Sequence, residues 1–203
     1  MRQKKCKLKN QYYLIRHGNS LRNVLSIASC WPEKIPCPLT EKGKKEIKAA
    51  AKKLKKKKID LIFYSDLLRT KQTAEIIGRE LGIRPKPEPR LRELNVGVLN
   101  GQPIDAVGWF YDQERKLPPL KYYQRRYQLA PAHGETYAQA EKRLLSFIKE
   151  MEKKYQGKNI LIVSHQRPIT LLEKAVYGYD LKKLVEIIMK KKEIKTGEIR
   201  KLC

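Results

Sequence analysis

The sequence predicts an α/β protein in which a mostly parallel sheet carries helices on both faces. Three short, continuously apolar segments, YYLI, IDLIFY and NILIVS, read as strands buried on both sides. Each is followed by a segment of helical periodicity, and strands alternating with helices build a parallel sheet with ligands outside its carboxyl ends. The 203 residues, 41% of them apolar, fit one domain over 1–203, because a single core commonly serves about 100 to 200 residues.

Tyr12 to Ile15 forms the first expected strand, and Asn19 to Ala28 a helix starting just past Gly18. The proline-rich WPEKIPCPLTEKG is a loop containing Thr40, whose hydroxyl suits the N-cap of the lysine-rich helix that follows. In that helix Ile47, Ala50, Ala51 and Leu54 keep one apolar stripe, and the lysines fall elsewhere. IDLIFYS is the second strand. It leads into DLLRTKQTAEIIGRELG, where Leu67, Leu68, Ile76, Ile77 and Leu81 take helical positions and Gly82 suits a left-handed C-terminal cap.

IRPKPEPRL is extended, as its prolines favour, and Asn95 to Pro131 is irregular, aromatic and helical in patches. Helical spacing returns from Thr136 to Tyr155 and stops near Gly157. NILIVSH is the third strand, and a helix runs from Pro168 to about Val176. Lys191 to Lys195 read as solvated, and IKTGEIRKLC as a weak edge strand.

A formal net charge of +25 admits nucleic acid, an anionic membrane or small anionic substrates as partners. The lysines sit mainly on helix faces, which favours a solvated surface over a dedicated polyanion site, so neither nucleic acid nor membrane is expected. Cys6, Cys30, Cys37 and Cys203 form no CxxC pair or dense disulfide spacing, which suits a reducing, cytoplasmic setting. No cleavable leader is expected, and no apolar run approaches the ~20 residues that span a bilayer. Cys30, Cys37 and a histidine could converge, but their spacing matches no zinc pattern.

Two strands end alike. LIRHG delivers Arg16 and His17 to one carboxyl end, and LIVSHQR delivers His165 and Arg167 to another. LIFYSDLLR brings Arg69 about one turn into the next helix. Paired histidines among arginines suit a phosphoryl group held between cations while one imidazole attacks phosphorus. Only a neutral imidazole can attack, and neighbouring cations favour that form by lowering its pKa. Glu93 is a candidate acid, or alternatively a salt-bridge partner of Arg90 or Arg92.

The chain resembles the histidine phosphatase, or phosphoglycerate mutase-like, superfamily from Tyr12 to about Leu202. The residues that carry the resemblance are RHG (Arg16 to Gly18) with Asn23, PLTEKG (Pro38 to Gly43), SDLLRTKQTAE (Ser65 to Glu75), LRELNVGVLNG (Leu91 to Gly101), HGET (His133 to Thr136) with Arg143, and VSH (Val163 to His165). RHG alone recurs by chance, whereas all six in collinear order do not.

The resemblance implies a three-layer α/β/α fold with a helical lid inserted at about 95–131. It implies that His17 is the nucleophile, that Arg16, Asn23, Arg69 and His165 bind the phosphoryl group, and that Glu93 protonates the leaving oxygen. Arginines would carry the charge, so no metal or cofactor is called for. Gly18, lacking a Cβ, would let the backbone approach the phosphate. Arg143 is read as a scaffold partner and Glu135 as a carboxylate favouring a helix start.

Two departures stand out. Asn19 replaces the Glu or Gln usual after RHG, and Gln166, Arg167 and Pro168 follow the second histidine where the family has small glycines. Arg167 is a candidate further phosphate ligand. Arg125 and Arg126 resemble the paired arginines with which the mutases hold a carboxylate, while NVG after Glu93 and a short insertion favour a phosphatase acting on a small phosphorylated substrate. The alternatives are a cofactor-dependent phosphoglycerate mutase and a non-catalytic polyanion-binding protein on the same scaffold.

Overall fold

The structure, a computed structural model, describes residues 8–113 and 116–202. Cys6 and Cys203 lie outside them. The elements run β1 (Gln11–Arg16), α1 (Leu21–Leu25), α2 (Glu41–Lys55), β2 (Leu61–Tyr64), α3 (Leu68–Leu81), β3 (Lys86–Pro87), α4 (Ile104–Tyr111), α5 (Pro119–Gln128), α6 (Tyr137–Lys154), β4 (Asn159–Ser164), α7 (Gln166–Tyr177), α8 (Leu181–Met189) and β5 (Ile199–Leu202). The sheet order is β3-β2-β4-β1-β5. Its pairs are parallel except β1 with β5, which is antiparallel.

Side chains alternate across a strand, so each apolar run feeds two cores. Tyr12, Leu14, Ile160 and Ile162 pack on one face against Leu144, Phe147 and Met151 of α6 and Ile169 and Leu172 of α7. Tyr13, Ile15, Leu161 and Val163 pack on the other against Ile47, Ala50 and Leu54 of α2 and Ala74 and Ile77 of α3. These are the three expected layers. A third cluster, Ala28, Cys30, Val96, Val107 and Tyr111, ties the segment after α1 to the 95–131 region.

Several boundaries differ from the sequence reading. The helix expected over Asn19 to Ala28 is only Leu21–Leu25: Ser20 is an extended N-cap and Ser26 turns left-handed at φ 52°. The α7 helix begins at Gln166, with Pro168 inside the first turn, where a missing N–H removes no helical bond. The α8 helix was not anticipated, although the Asp180 side chain caps it by accepting from the Lys183 N–H. Within the lysine run, Lys191, Lys192 and Lys195 are exposed as expected, but Ile194 is fully buried and Glu193 turns inward. No helix of the described residues is long and apolar enough to cross a membrane.

Gly18 and Gly43 have a packing reason to lack side chains. A Cβ on Gly43 would lie 1.9 Å from the Asn19 carbonyl oxygen, and one on Gly18 would lie 2.6 Å from that of Gly43. The glycine of RHG therefore makes room for α2, a packing reason beside the expected approach to phosphate. Thr40 caps α2 by accepting from the Gly43 N–H, and its hydroxyl donates to Asn19 Oδ1 at 2.8 Å. Asn19 thus latches the first strand's end to the next helix.

Candidate active site

Strand register brings the histidines together. Arg16, the last residue of β1, pairs with Ser164, the last of β4, and the His17 N–H donates to the Ser164 carbonyl. His17 and His165 follow directly, and their ring centroids lie 5.3 Å apart at an interplanar angle of 62°. Both rings are buried. His17 Nδ1 lies 2.8 Å from the Gly18 carbonyl oxygen. A carbonyl only accepts, so Nδ1 carries the proton and Nε2 keeps its lone pair. Burial, then the charges of Arg69 and Arg16, hold His17 well below the ordinary imidazole pKa. His165 is depressed likewise, by burial and then by Arg69. His165 Nε2 lies 2.8 Å from the Ser65 hydroxyl, a partner the sequence did not single out.

Arg69 is the second residue of α3 and fully buried. Nη1 donates to Ser29 Oγ and Glu33 Oε1, and Nη2 to the Ser29 carbonyl. Nε has no protein partner. Arg16 donates to the Ile194 carbonyl, and burial lowers its pKa to about 10. Arg69 is thus an interior cation, not one on the helix surface.

Beside this pair a cavity of about 220 Å³ is lined by Arg16, Arg22, Glu93, Arg126, Gln166 and Arg167, with Leu94, Val96 and Val107 among its apolar wall. Glu93 Oε1 accepts from the Leu94 N–H. Arg90 pairs with Glu88 and Glu150 and Arg92 with Asp66, so both arginines are engaged away from Glu93. Arg143 braces the segment: it is bidentate to Glu135 and donates to the Arg90 and Glu93 carbonyls. Glu135 also accepts from the Asn95 N–H, so it anchors this segment as well as standing near the start of α6.

Arg167 lines the cavity and is paired at 2.7 Å with Glu193. Arg126 is boxed by the rings of Tyr111, Tyr137 and Tyr122, at 4.6, 4.7 and 6.0 Å from its guanidinium carbon. Asn23 is not on the cavity wall, nor are His17, Arg69 and His165, and the Asn23 Oδ1 accepts from the Ser20 N–H and hydroxyl. Arg125 donates to the Tyr111 carbonyl and lines a different hollow, with Phe110 and Leu117. Sequence reasoning missed Arg22, which sits between the two residues of a capping box.

Among the described residues the buried side-chain atoms without a protein partner are Arg16 Nε, Arg22 Nε, Arg69 Nε, Arg126 Nε, His165 Nδ1 and the Tyr137 hydroxyl. Such atoms are rare, because each forfeits its hydration. Of these, Arg16, Arg22 and Arg126 line the cavity, Tyr137 packs on Arg126, Arg69 donates to the lining Ser29, and His165 precedes the lining Gln166. The five N–H and O–H groups other than His165 Nδ1 are donors, and His165 Nδ1 donates when its Nε2 accepts from Ser65.

Residues 12–200 match the model of the histidine phosphatase superfamily (branch 1). The chain belongs to this superfamily. Over 106 residues, 52% of the chain, it is 42% identical to the probable phosphoglycerate mutase GpmB of Yersinia pestis (strain Pestoides F), and it spans about half, 48%, of that relative's length. Its fold matches mycobacterial glucosyl-3-phosphoglycerate phosphatase complexed with VO3 at TM-score 0.76 and 21% identity, over 94% of this chain and 91% of that one. It likewise matches the α-ribazole phosphatase of Shigella flexneri at 0.76 and 24%, over 94% and 89%. Bacillus stearothermophilus YhfR is 27% identical at TM-score 0.72, over 86% and 83%. Superfamily relatives thus include both phosphatases and mutases.

Proposed function

We propose that the chain hydrolyses small phosphate monoesters through a phosphohistidine on His17. The observation that carries this reading is the Nδ1 contact to Gly18, which leaves Nε2 as a neutral nucleophile among buried N–H donors without partners. Nε2 attacks phosphorus while Arg16, Arg69 and His165 hold the phosphoryl oxygens. Glu93 gives its proton to the leaving oxygen as the P–O bond breaks. A water then yields a proton to the Glu93 carboxylate and attacks phosphorus, the P–N bond breaks, and inorganic phosphate leaves. Arg126 and Arg167 face the organic part of the substrate.

The 42% identity with a probable mutase favours a second reading, in which the phosphoryl group returns from His17 to a sugar-acid oxygen. A panel of phosphorylated metabolites, run beside a 3-phosphoglycerate isomerisation assay and with His17→Ala as control, separates the two. Phosphate release that vanishes in the control supports hydrolysis. Isomerisation without net release supports the mutase, and turnover that persists in the control removes His17 from either scheme.

A further inference from the structure

The cations around the pocket differ in what already neutralises them. Arg69 is paired with Glu33 and Arg167 with Glu193. Arg22 makes no ion pair among the described residues, yet it lines the cavity and its Nε is buried without a partner. Its backbone is pinned from both sides: Ser20 bridges Leu39, Ile27 bridges Pro103, and the Leu21 N–H donates to the Pro38 carbonyl. The neighbouring Asn23 turns its oxygen back onto Ser20. A half-buried arginine on a fixed stalk, whose enclosed Nε–H has no acceptor in the protein, is built to receive one from a ligand.

Which part of the ligand it receives follows from its neighbours. Arg22 shares the cavity wall with Arg16 and with Ser29, whose hydroxyl accepts from Arg69, and after burial its charge adds to those of Arg69 and Arg16 in lowering both histidines. Arg126 packs against Tyr111 and Tyr137, and Arg167 against Tyr123 with Glu193 as its ion-pair partner and Glu93 acting on it too. Arg22 therefore belongs with the groups around phosphorus.

We infer that Arg22 is a direct ligand of the phosphoryl group. This rests on reading the pocket as a phosphoryl site. A pocket with an extra unpaired guanidinium there holds a dianionic phosphoryl group, and free phosphate, more tightly than one with a neutral amide.

Dissociation constants of orthovanadate and inorganic phosphate for the wild-type chain, R22Q and R22K test this, because neither anion has a leaving group. R22Q should bind both about 10- to 100-fold more weakly, the loss of one charge-assisted contact, and R22K should fall between. Ligand-free melting temperatures should stay within a few degrees. Should R22Q not fold, R22K alone decides, because it keeps a charge and lacks the Nε donor. Vanadate affinity unchanged in a folded variant overturns the inference, as does a loss confined to substrates with large leaving groups. A wild-type chain that binds neither anion would instead overturn the phosphoryl reading itself.

Discussion

His17 Nδ1 is committed to the Gly18 carbonyl, so at residue scale the chemistry turns on which nitrogen is left over and whether it stays unprotonated. Burial and Arg69 depress both histidines, so both stay neutral in the fold into the mildly acidic range. The unfolded chain takes up those protons as pH falls through the ordinary imidazole value of about 6.5. Stability is therefore fully present above that pH and declines below it, by up to about 1.4 kcal/mol per unit for each histidine, until the folded values are reached. Denaturant melts should show lower stability at pH 5.5 than at pH 7.5, and a flat profile would contradict the neutral pair. Glu93→Gln removes the proposed proton donor without changing its size. Its kcat should fall by about 10² to 10⁴ for substrates with poor leaving groups, and much less for activated aryl phosphates.

The elements owe their placement to contacts that join distant parts of the chain. Gly43→Ala would drive a Cβ into the Asn19 carbonyl, with nowhere for either backbone to move. It should cost about 1–3 kcal/mol and disturb the strand end that carries His17, read as a lower melting temperature together with lower kcat. Arg143→Ala should release the Glu93 segment and leave the Glu135 carboxylate without its guanidinium. The expected result is kcat reduced about 10- to 100-fold with a smaller effect on KM, because the acid is misplaced.

These cases also mark what the sequence could disclose. Strand ends and the buried stripe of α2 were legible because period and apolar content are local signals. The contacts of Arg69 with Glu33, of Arg16 with Ile194 and of Arg167 with Glu193 were not, because they join residues 36, 178 and 26 positions apart. The α8 pattern of Leu181, Leu184, Val185 and Ile188 was present but blurred by flanking lysines, and the short α1 was overcalled because Ser26 turns left-handed without a glycine.

For the molecule as a whole, the net charge of +25 coexists with a pocket whose arginines, Arg22 apart, are set by carboxylates, carbonyls and aromatic rings. The lysines of α2 outside its apolar stripe lie on its more exposed face. Such a field raises the encounter rate with anions and is screened by salt. The ratio kcat/KM for a phosphorylated substrate should therefore fall as ionic strength rises, while kcat holds steady. Steeply salt-dependent nucleic-acid binding without any hydrolysis would replace this account with the polyanion-binding one. Rapid-quench turnover with mass spectrometry of the peptide containing Arg16–Gly18 tests the covalent step most directly. The account predicts an acid-labile phosphoryl group on His17 during turnover, absent in His17→Ala. Steady turnover with that histidine never modified would contradict it.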